Sequence, residues 1–108
     1  MTEHEIQQRI LLALGAKPGV RVWRNNTGAL TDINGRLVKF GLQGSADILG
    51  ILAPNGRFLG IEVKSATGRQ SDQQRNFQTM IESHGGLYIL ARSVDDAVSR
   101  LREEGYIS

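Results

Sequence analysis

Two apolar segments joined by a short turn constrain the fold of this chain more than any other feature. Residues 47–53 and 58–64 are rich in Ile, Leu and Val, and Pro54-Asn55-Gly56 between them is typical of a turn. This pattern predicts two paired antiparallel strands within a sheet. Carboxylates interrupt both strands, because Asp47 opens the first and Glu62 lies within the second.

The register of this hairpin decides whether its charged residues meet. Side chains alternate along a strand, so Glu62 and Lys64 share one face. A four-residue turn Ala53–Gly56 pairs residues whose numbers sum to 109, which places Asp47 directly opposite Glu62. A two-residue turn, with a sum of 111, also keeps the three charged residues on one face, whereas an even sum would separate them.

Two directly opposed carboxylates repel each other, and a divalent cation between them would remove this repulsion. Oxygen ligands without His or Cys suit Mg²⁺ or Mn²⁺. Such a cation acidifies coordinated water and promotes phosphodiester hydrolysis, and Lys64 beside it would orient the water or stabilise negative charge. The alternative is a surface hairpin whose polar face carries these three charged residues as ordinary cross-strand pairs.

The composition excludes several other kinds of site. The 108 residues include two His and no Cys, which excludes disulfides, Cys-ligated zinc and a thiol nucleophile. With 40% hydrophobic and 22% charged residues, we expect one folded domain over residues 1–108. No apolar run approaches the roughly 20 residues of a membrane span, so we expect a soluble, cytoplasmic protein.

Capping motifs predict three helices around the strands. Thr2-Glu3-His4-Glu5 and Ser71-Asp72-Gln73-Gln74 match the capping box, and Ser93 is a third candidate N-cap. Asn34-Gly35 predicts a second hairpin over residues 29–40. The expected order is α-β-β-β-α-β-α with that extra hairpin, an α/β domain whose mixed central sheet is flanked by helices.

Basic residues are concentrated in the N-terminal part of the chain. Residues 1–45 contain six Lys or Arg residues and three acidic residues. Cationic and amide side chains bind phosphate and sugar oxygens, and a helix N-terminus favours phosphate as well. The predicted DNA contacts are Arg24, Asn25, Arg36, Lys39 and Arg69. We expect Trp23, which lies among them, to belong to the core instead.

These motifs resemble a known nuclease superfamily. Asp47 followed by Glu62-Val63-Lys64 resembles the D…(D/E)-x-K motif of the PD-(D/E)XK nucleases. Together with residues 44–50 and 68–74, the pattern resembles the VRR-NUC domain family in its stand-alone form of phages and bacteria. The resemblance implies a restriction-endonuclease-like core. Ala46 departs from the general motif, which has Pro at this position, but no ligand is expected there.

The resemblance also implies an activity. A VRR-NUC nuclease would be a Mg²⁺- or Mn²⁺-dependent, structure-selective DNA endonuclease. It would act as a homodimer on branched DNA such as four-way junctions, in repair or recombination. Asp47, Glu62 and the backbone carbonyl of Val63 would bind the metal, and Lys64 would be catalytic. Gln74 would be an additional active-site residue, although its position in a capping box also explains it.

The family also has a glutamate on the first helix, for which this chain offers two candidates. Glu5 is explained by the capping box, whereas Glu3 aligns with the apolar stripe of Ile6 and Ile10. We therefore predict Glu3 as the fourth acidic residue of the site, bound to the metal directly or through water.

Two other functions remain open from the sequence. The first is a non-catalytic DNA-binding module on a nuclease-like scaffold, which would bind DNA in a salt-sensitive way without turnover. The second is a restriction-type enzyme with a fixed recognition sequence, which would cut linear duplex DNA at defined sites.

Overall fold

The computed structural model describes residues 1–108, apart from the side chain of Phe40. The elements in chain order are α1 (Glu3–Gly15), β1 (Val20–Arg24), β2 (Gly28–Thr31), β3 (Leu37–Phe40), β4 (Ile48–Leu52), β5 (Arg57–Val63), α2 (Asp72–Ser83), β6 (Leu87–Ala91) and α3 (Val94–Glu103). This is the predicted order, with β2 and β3 as the extra hairpin.

A mixed four-stranded sheet forms the centre of the molecule, in the order β1-β4-β5-β6. Its first three strands are antiparallel neighbours, and β6 runs parallel to β5. Because parallel strands require a crossover, the chain passes through α2 between β5 and β6. The strands β2 and β3 form a separate two-stranded sheet.

Successive side chains of each strand point to opposite faces of the sheet, so the interior consists of two apolar layers. The larger layer packs between one face of the sheet and the helices α1 and α3, and it includes Ile10, Ile61 and Leu101. The smaller layer lies under α2 on the opposite face, where Phe77 meets Tyr88 edge to face. Glu62 points to this second face, since its neighbours in β5 belong to the first.

The helix caps were predicted correctly, and the hairpin adopts one of the two registers that the sequence left open. Ile48 pairs with Ile61, which is the register that sums to 109. Reciprocal capping boxes begin α1 at Thr2 and α2 at Ser71, and Ser93 caps α3.

The prediction that Trp23 lies in the core is wrong. This side chain is 45% exposed, and it occupies the edge strand β1 on the face of the sheet that α2 covers. The contacts of α2 are with β5 and β6, so the β1 end of this face has no helix over it. Ile51, on the same face of β4, is equally exposed.

Within the described part of the chain, every helix is too short or too polar to cross a membrane.

Candidate functional site

The two carboxylates meet at the end of the hairpin, one at the start of β4 and the other near the end of β5. Asp47 precedes the first paired residue of β4, and the register places it opposite Glu62. Its Oδ2 accepts a hydrogen bond of 2.8 Å from the backbone N–H of Val63. The antiparallel pairing therefore positions Asp47, which lies just outside the regular strand.

Glu62 is the single polar or charged residue among the described buried side chains, at 1% exposure. Its Oε1 accepts a hydrogen bond of 2.8 Å from the side-chain amide of Gln74. Its Oε2 is buried without a hydrogen-bond partner among the described atoms. A buried carboxylate oxygen without a partner is costly, which points to a ligand on that side of Glu62.

The environment of both carboxyl groups opposes ionisation. Burial, followed by the negative charge of Asp47, raises the pKa of Glu62 to about 8. Burial also raises the pKa of Asp47, although the hydrogen bond from Val63 counters the shift. Lys64 favours the charged forms of both groups without cancelling the effect of burial. A divalent cation would supply the missing positive charge.

Gln74 closes a capping box and also contacts Glu62. Its Oε1 accepts a hydrogen bond of 2.9 Å from the backbone N–H of Ser71, which closes the capping box of α2. Its Nε2 donates to Glu62 at the same time. The capping box therefore fixes the orientation of the amide that binds the buried carboxylate.

The loop before Asp47 packs closely against the start of α2. Gly44 has a φ of +83°, and a Cβ at this position would lie 2.6 Å from the carbonyl oxygen of Gln73. Only glycine combines this backbone conformation with such a close approach. Ala46 is buried under α2, in agreement with a role in loop packing instead of ligand binding.

Helix α1 forms hydrogen bonds with the chain just before β4 and just after β5. Glu3 Oε2 accepts a hydrogen bond of 3.1 Å from the backbone N–H of Ser65, just beyond β5. One turn later, Gln7 donates to the backbone carbonyl of Asp47 over 3.2 Å. Glu5 instead bonds to Thr2 at the exposed N-terminus of the helix. The structure thus places Glu3, and not Glu5, beside the site.

The segment that follows Lys64 is bound by an arginine directly after β6. One guanidinium nitrogen of Arg92 donates to the carbonyl oxygens of Ser65 and Gly68, at 2.6 and 2.7 Å. A Cβ on Gly68 would lie 3.4 Å from Glu3 Oε2 and from Lys64 Cδ. This turn therefore runs directly past both side chains.

The predicted DNA-contact residues occupy three different places. Arg24 and Asn25 lie at the end of β1 nearest the carboxylates, and Arg69 lies just before α2. Arg36 and Lys39 belong to the β2–β3 hairpin and are exposed. The side-chain amide of Asn25 donates to Ser45 and to the carbonyl of Ala46, so it also anchors the loop before Asp47.

The residues present fit a hard divalent cation. The donor set consists of the opposed carboxylates of Asp47 and Glu62, and one buried oxygen of Glu62 has no partner among the described atoms. No cluster of three His, Cys, Asp or Glu side chains close enough to bind a metal occurs among the described residues. The remaining ligands would therefore be a backbone carbonyl and water, an arrangement that suits Mg²⁺.

The sequence interpretation did not include Gln7 and Arg92. Gln7 follows Glu3 by four residues, and this helical spacing places both side chains on one face. That signal was available in the sequence. Arg92 had no such signal, because its bonds to the turn after β5 depend on the parallel pairing of β5 with β6.

Comparisons with known proteins agree with the fold. The family model of the VRR-NUC domain matches residues 2–95. A solved structure described as a VRR_NUC domain superposes with a TM-score of 0.67 at 21% identity, covering 98% of this chain and 99% of its own. At this identity the likeness shows the fold alone. No curated protein matches the chain at a significant level.

Proposed function

The chain belongs to the VRR-NUC domain family, a family of nuclease-type domains, and on this premise we propose that it is a Mg²⁺- or Mn²⁺-dependent DNA endonuclease. The observation that carries the proposal is the buried carboxylate of Glu62, which lies opposite Asp47 and has one oxygen without a partner among the described atoms. A module that only binds DNA has no need of two carboxylates forced together under a helix.

In this proposal Asp47, Glu62 and the backbone carbonyl of Val63 bind the cation, with Glu3 contributing through water. When bound, a divalent cation acidifies water and neutralises charge on the scissile phosphate. Gln74 maintains the orientation of Glu62 through its 2.8 Å hydrogen bond. Since the cation compensates the repulsion between the carboxylates, both are ionised in the working enzyme.

Lys64 is the proposed cationic catalytic residue. It follows Val63 at the end of β5, on the same face as Glu62, and its positive charge acts on both carboxylates. From this position its ammonium group would orient the attacking water or stabilise the negative charge that develops on the phosphate.

Branched DNA is the proposed substrate class. A domain of 108 residues with 6% aromatic residues offers little surface for reading base sequence, so recognition of DNA shape is favoured. A two-fold pair of such domains would match the symmetry of a four-way junction. We therefore propose that a homodimer cuts branched DNA during repair or recombination.

A cleavage panel tests the activity. Single-stranded, duplex, flap and four-way-junction DNA would be incubated with the chain in Mg²⁺, in Mn²⁺ and in a chelator. We expect metal-dependent cleavage with preference for the branched substrates. Cleavage of linear duplex at one defined sequence would indicate a restriction-type enzyme, and salt-sensitive binding without turnover would indicate a binding module.

Matched variants test whether Asp47 and Lys64 are required for cleavage. Asp47→Ala and Lys64→Ala should abolish cleavage, whereas Glu103→Ala and Lys17→Ala remove the same charges away from the site and should cut like the parent chain. Circular dichroism would verify folding of all four variants. Undiminished cleavage by both site variants would refute the proposed chemistry.

A further inference from the structure

The segment that follows β5, which we call the Lys64 turn (residues 64–68), is bound from two sides. On one side, the carboxylate of Glu3 accepts a hydrogen bond of 3.1 Å from the backbone N–H of Ser65. On the other side, one guanidinium nitrogen of Arg92 donates to the carbonyl oxygens of Ser65 and Gly68, at 2.6 and 2.7 Å. Side chains from two distant parts of the chain therefore bind the N–H and the C=O of the same residue.

The pairing of β5 with β6 continues into the first residue of this turn. The backbone N–H of Lys64 donates to the carbonyl of Ala91 over 3.0 Å. In a planar trans peptide the carbonyl points away from the N–H, so the carbonyl of Val63 faces away from β6. The N–H of Val63 donates to Asp47. As long as this end of β5 stays paired with β6, the Val63 carbonyl remains directed away from β6.

Arg92 connects this turn to the core of the molecule. It follows Ala91 at the end of β6, and its own backbone N–H donates to Asp96 in the first turn of α3, over 2.8 Å. Helix α3 is fixed in turn, because Ala97 and Leu101 are fully buried in the larger apolar layer. The guanidinium group therefore extends to the Lys64 turn from a rigid base.

The two bonds from Arg92 are the strongest long-range contacts of the turn. A charged donor forms shorter and stronger hydrogen bonds to carbonyl oxygens than a neutral one, in agreement with the two distances. Among the described atoms, the other hydrogen bonds of residues 65–68 are the one to Glu3 and those of the Gly68 N–H to Ser65 itself, at 3.2 Å. Removal of the guanidinium group would leave this segment with a single tie to the rest of the chain.

A contact with a DNA phosphate is the alternative role of an exposed arginine beside the site. Two carboxylates, those of Asp95 and Asp96, lie next to Arg92 at the start of α3. Their negative charge disfavours a phosphate at this position. The nitrogen that forms both short bonds also faces the protein backbone. These observations favour a role in positioning the turn.

We propose that Arg92 is a positioning residue of the nuclease site. By binding two carbonyl oxygens of the Lys64 turn, it fixes the end of β5, and with it the Val63 carbonyl and the side chain of Lys64. It also holds the backbone N–H that binds Glu3. The proposal deepens the proposed function and rests on it for the consequence of this positioning, whereas the positioning itself requires neither DNA nor metal.

Single-turnover cleavage measures the consequence, with the substrate that the parent chain cuts fastest and with protein in excess. Arg92→Ala should lower the maximal rate by about 10- to 100-fold, while the protein concentration that gives half of this rate changes little. Arg92→Lys should recover most of the rate, because one nitrogen forms both bonds and an ammonium group has three donors. The control Arg102→Ala, an exposed arginine on α3, should cut like the parent chain.

Two further measurements distinguish positioning from a phosphate contact. Guanidinium chloride at millimolar concentration should restore part of the rate of Arg92→Ala, whereas the same concentration of sodium chloride should not. In a chelator, Arg92→Ala should bind DNA with the salt dependence of the parent chain. Loss of a phosphate contact would instead reduce the slope of log affinity against log salt by about 1.

Amide hydrogen exchange, followed by nuclear magnetic resonance without metal or DNA, measures the positioning directly. In Arg92→Ala the amides of Ser65 and Gly68 should exchange about 10-fold faster or more, because the turn opens locally. The amides of Ile61 and Ile89, in the paired strands of the core, should exchange as in the parent chain and so verify that the fold is intact.

Several results would overturn the proposal. They are an Arg92→Ala chain that cuts like the parent, a loss of cleavage that neither Arg92→Lys nor guanidinium restores, a reduced salt slope, and unchanged exchange at Ser65 and Gly68. A parent chain that cuts none of the DNA substrates would refute the proposed function instead. In that case faster exchange at these two amides would still support the positioning role, and unchanged exchange would still refute it.

Discussion

Glu62 lies in an environment that favours the protonated form of its side chain. Its carboxyl group is buried at 1% exposure, faces Asp47, and has a pKa raised to about 8. Without a cation the folded chain retains a proton on this group under conditions in which the unfolded chain, with a pKa near 4.5, has lost it. If the site binds a cation as we propose, the proton and the cation would compete for the same oxygen atoms.

This competition predicts a specific pH dependence. Between pH 4.5 and about 8 the folded metal-free chain binds more protons than the unfolded chain, so its stability falls as pH rises. Cation binding requires the ionised form, so the stabilisation by Mn²⁺ should grow over the same range. Thermal unfolding at pH 6 and pH 8.5, with and without Mn²⁺, measures both trends.

Glu62→Gln is the matched variant for this prediction, because it replaces the carboxyl group with a neutral group of the same shape. The variant should lose this contribution to the pH dependence of the metal-free chain and should no longer be stabilised by Mn²⁺. An Mn²⁺ effect equal to that of the parent chain would show that the cation binds elsewhere.

At the scale of elements, the site forms where the first turns of α1 and α2 lie beside the start of β4 and the end of β5. Helix α2 provides Gln74 from its first turn, and α1 provides Glu3 and Gln7 from its own. Both helices begin with the same reciprocal capping box, yet only the N3 residue of α2 also contacts a carboxylate of the site. The two caps therefore form a natural comparison.

Gln74→Ala should weaken metal binding and cleavage by about 10- to 100-fold, because the orientation of Glu62 is lost. It should also lower stability, because the reciprocal hydrogen bond to the Ser71 N–H is lost. Glu5→Ala removes the equivalent capping residue of α1 and should lower stability while leaving metal affinity unchanged. Mn²⁺ titration by calorimetry and thermal unfolding would distinguish the two effects.

A Gln74→Ala chain with the metal affinity of the parent would limit this residue to capping. A Glu5→Ala chain with weakened metal binding would indicate that the loss of either capping box lowers metal affinity indirectly.

For the whole molecule, the formal charge of +2 understates the positive charge that the surface can present to DNA. Two of the acidic residues face each other inside the site, and Asp32 bonds to the backbone of its own turn. Arg24 and Arg69, which lie near the two sides of the site, are both exposed. We expect these two cations to contact the phosphates that flank the scissile bond.

The salt dependence of DNA binding tests this expectation. In a chelator, each of Arg24→Ala and Arg69→Ala should reduce the slope of log affinity against log salt by about 1, since each phosphate contact releases about one counterion. Arg102→Ala, an exposed arginine on α3, serves as the control and should leave the slope unchanged. Equal slopes for all four proteins would exclude Arg24 and Arg69 from the binding surface.

The sequence by itself determined the order of elements, the caps and the central hairpin. These features depend on local physics: alternation along strands, helical spacing, and turn residues such as Pro54-Asn55-Gly56. Because side chains alternate with a period of two, the common face of Asp47, Glu62 and Lys64 also followed from the turn. The structure decided between the sums of 109 and 111, and it thereby placed Asp47 opposite Glu62. The choice of Glu3 over Glu5 rested on the same kind of periodicity.

Only the tertiary structure decided what covers each surface. Nothing local to Trp23 shows that β1 is an edge strand or that α2 extends only over β5 and β6, so its exposure could not be predicted. The bonds of Arg92 to the turn after β5 and of Gln7 to Asp47 join segments 24 or more residues apart. Burial and long-range contacts depend on the packing of whole elements, whereas caps and register depend on a few neighbouring residues.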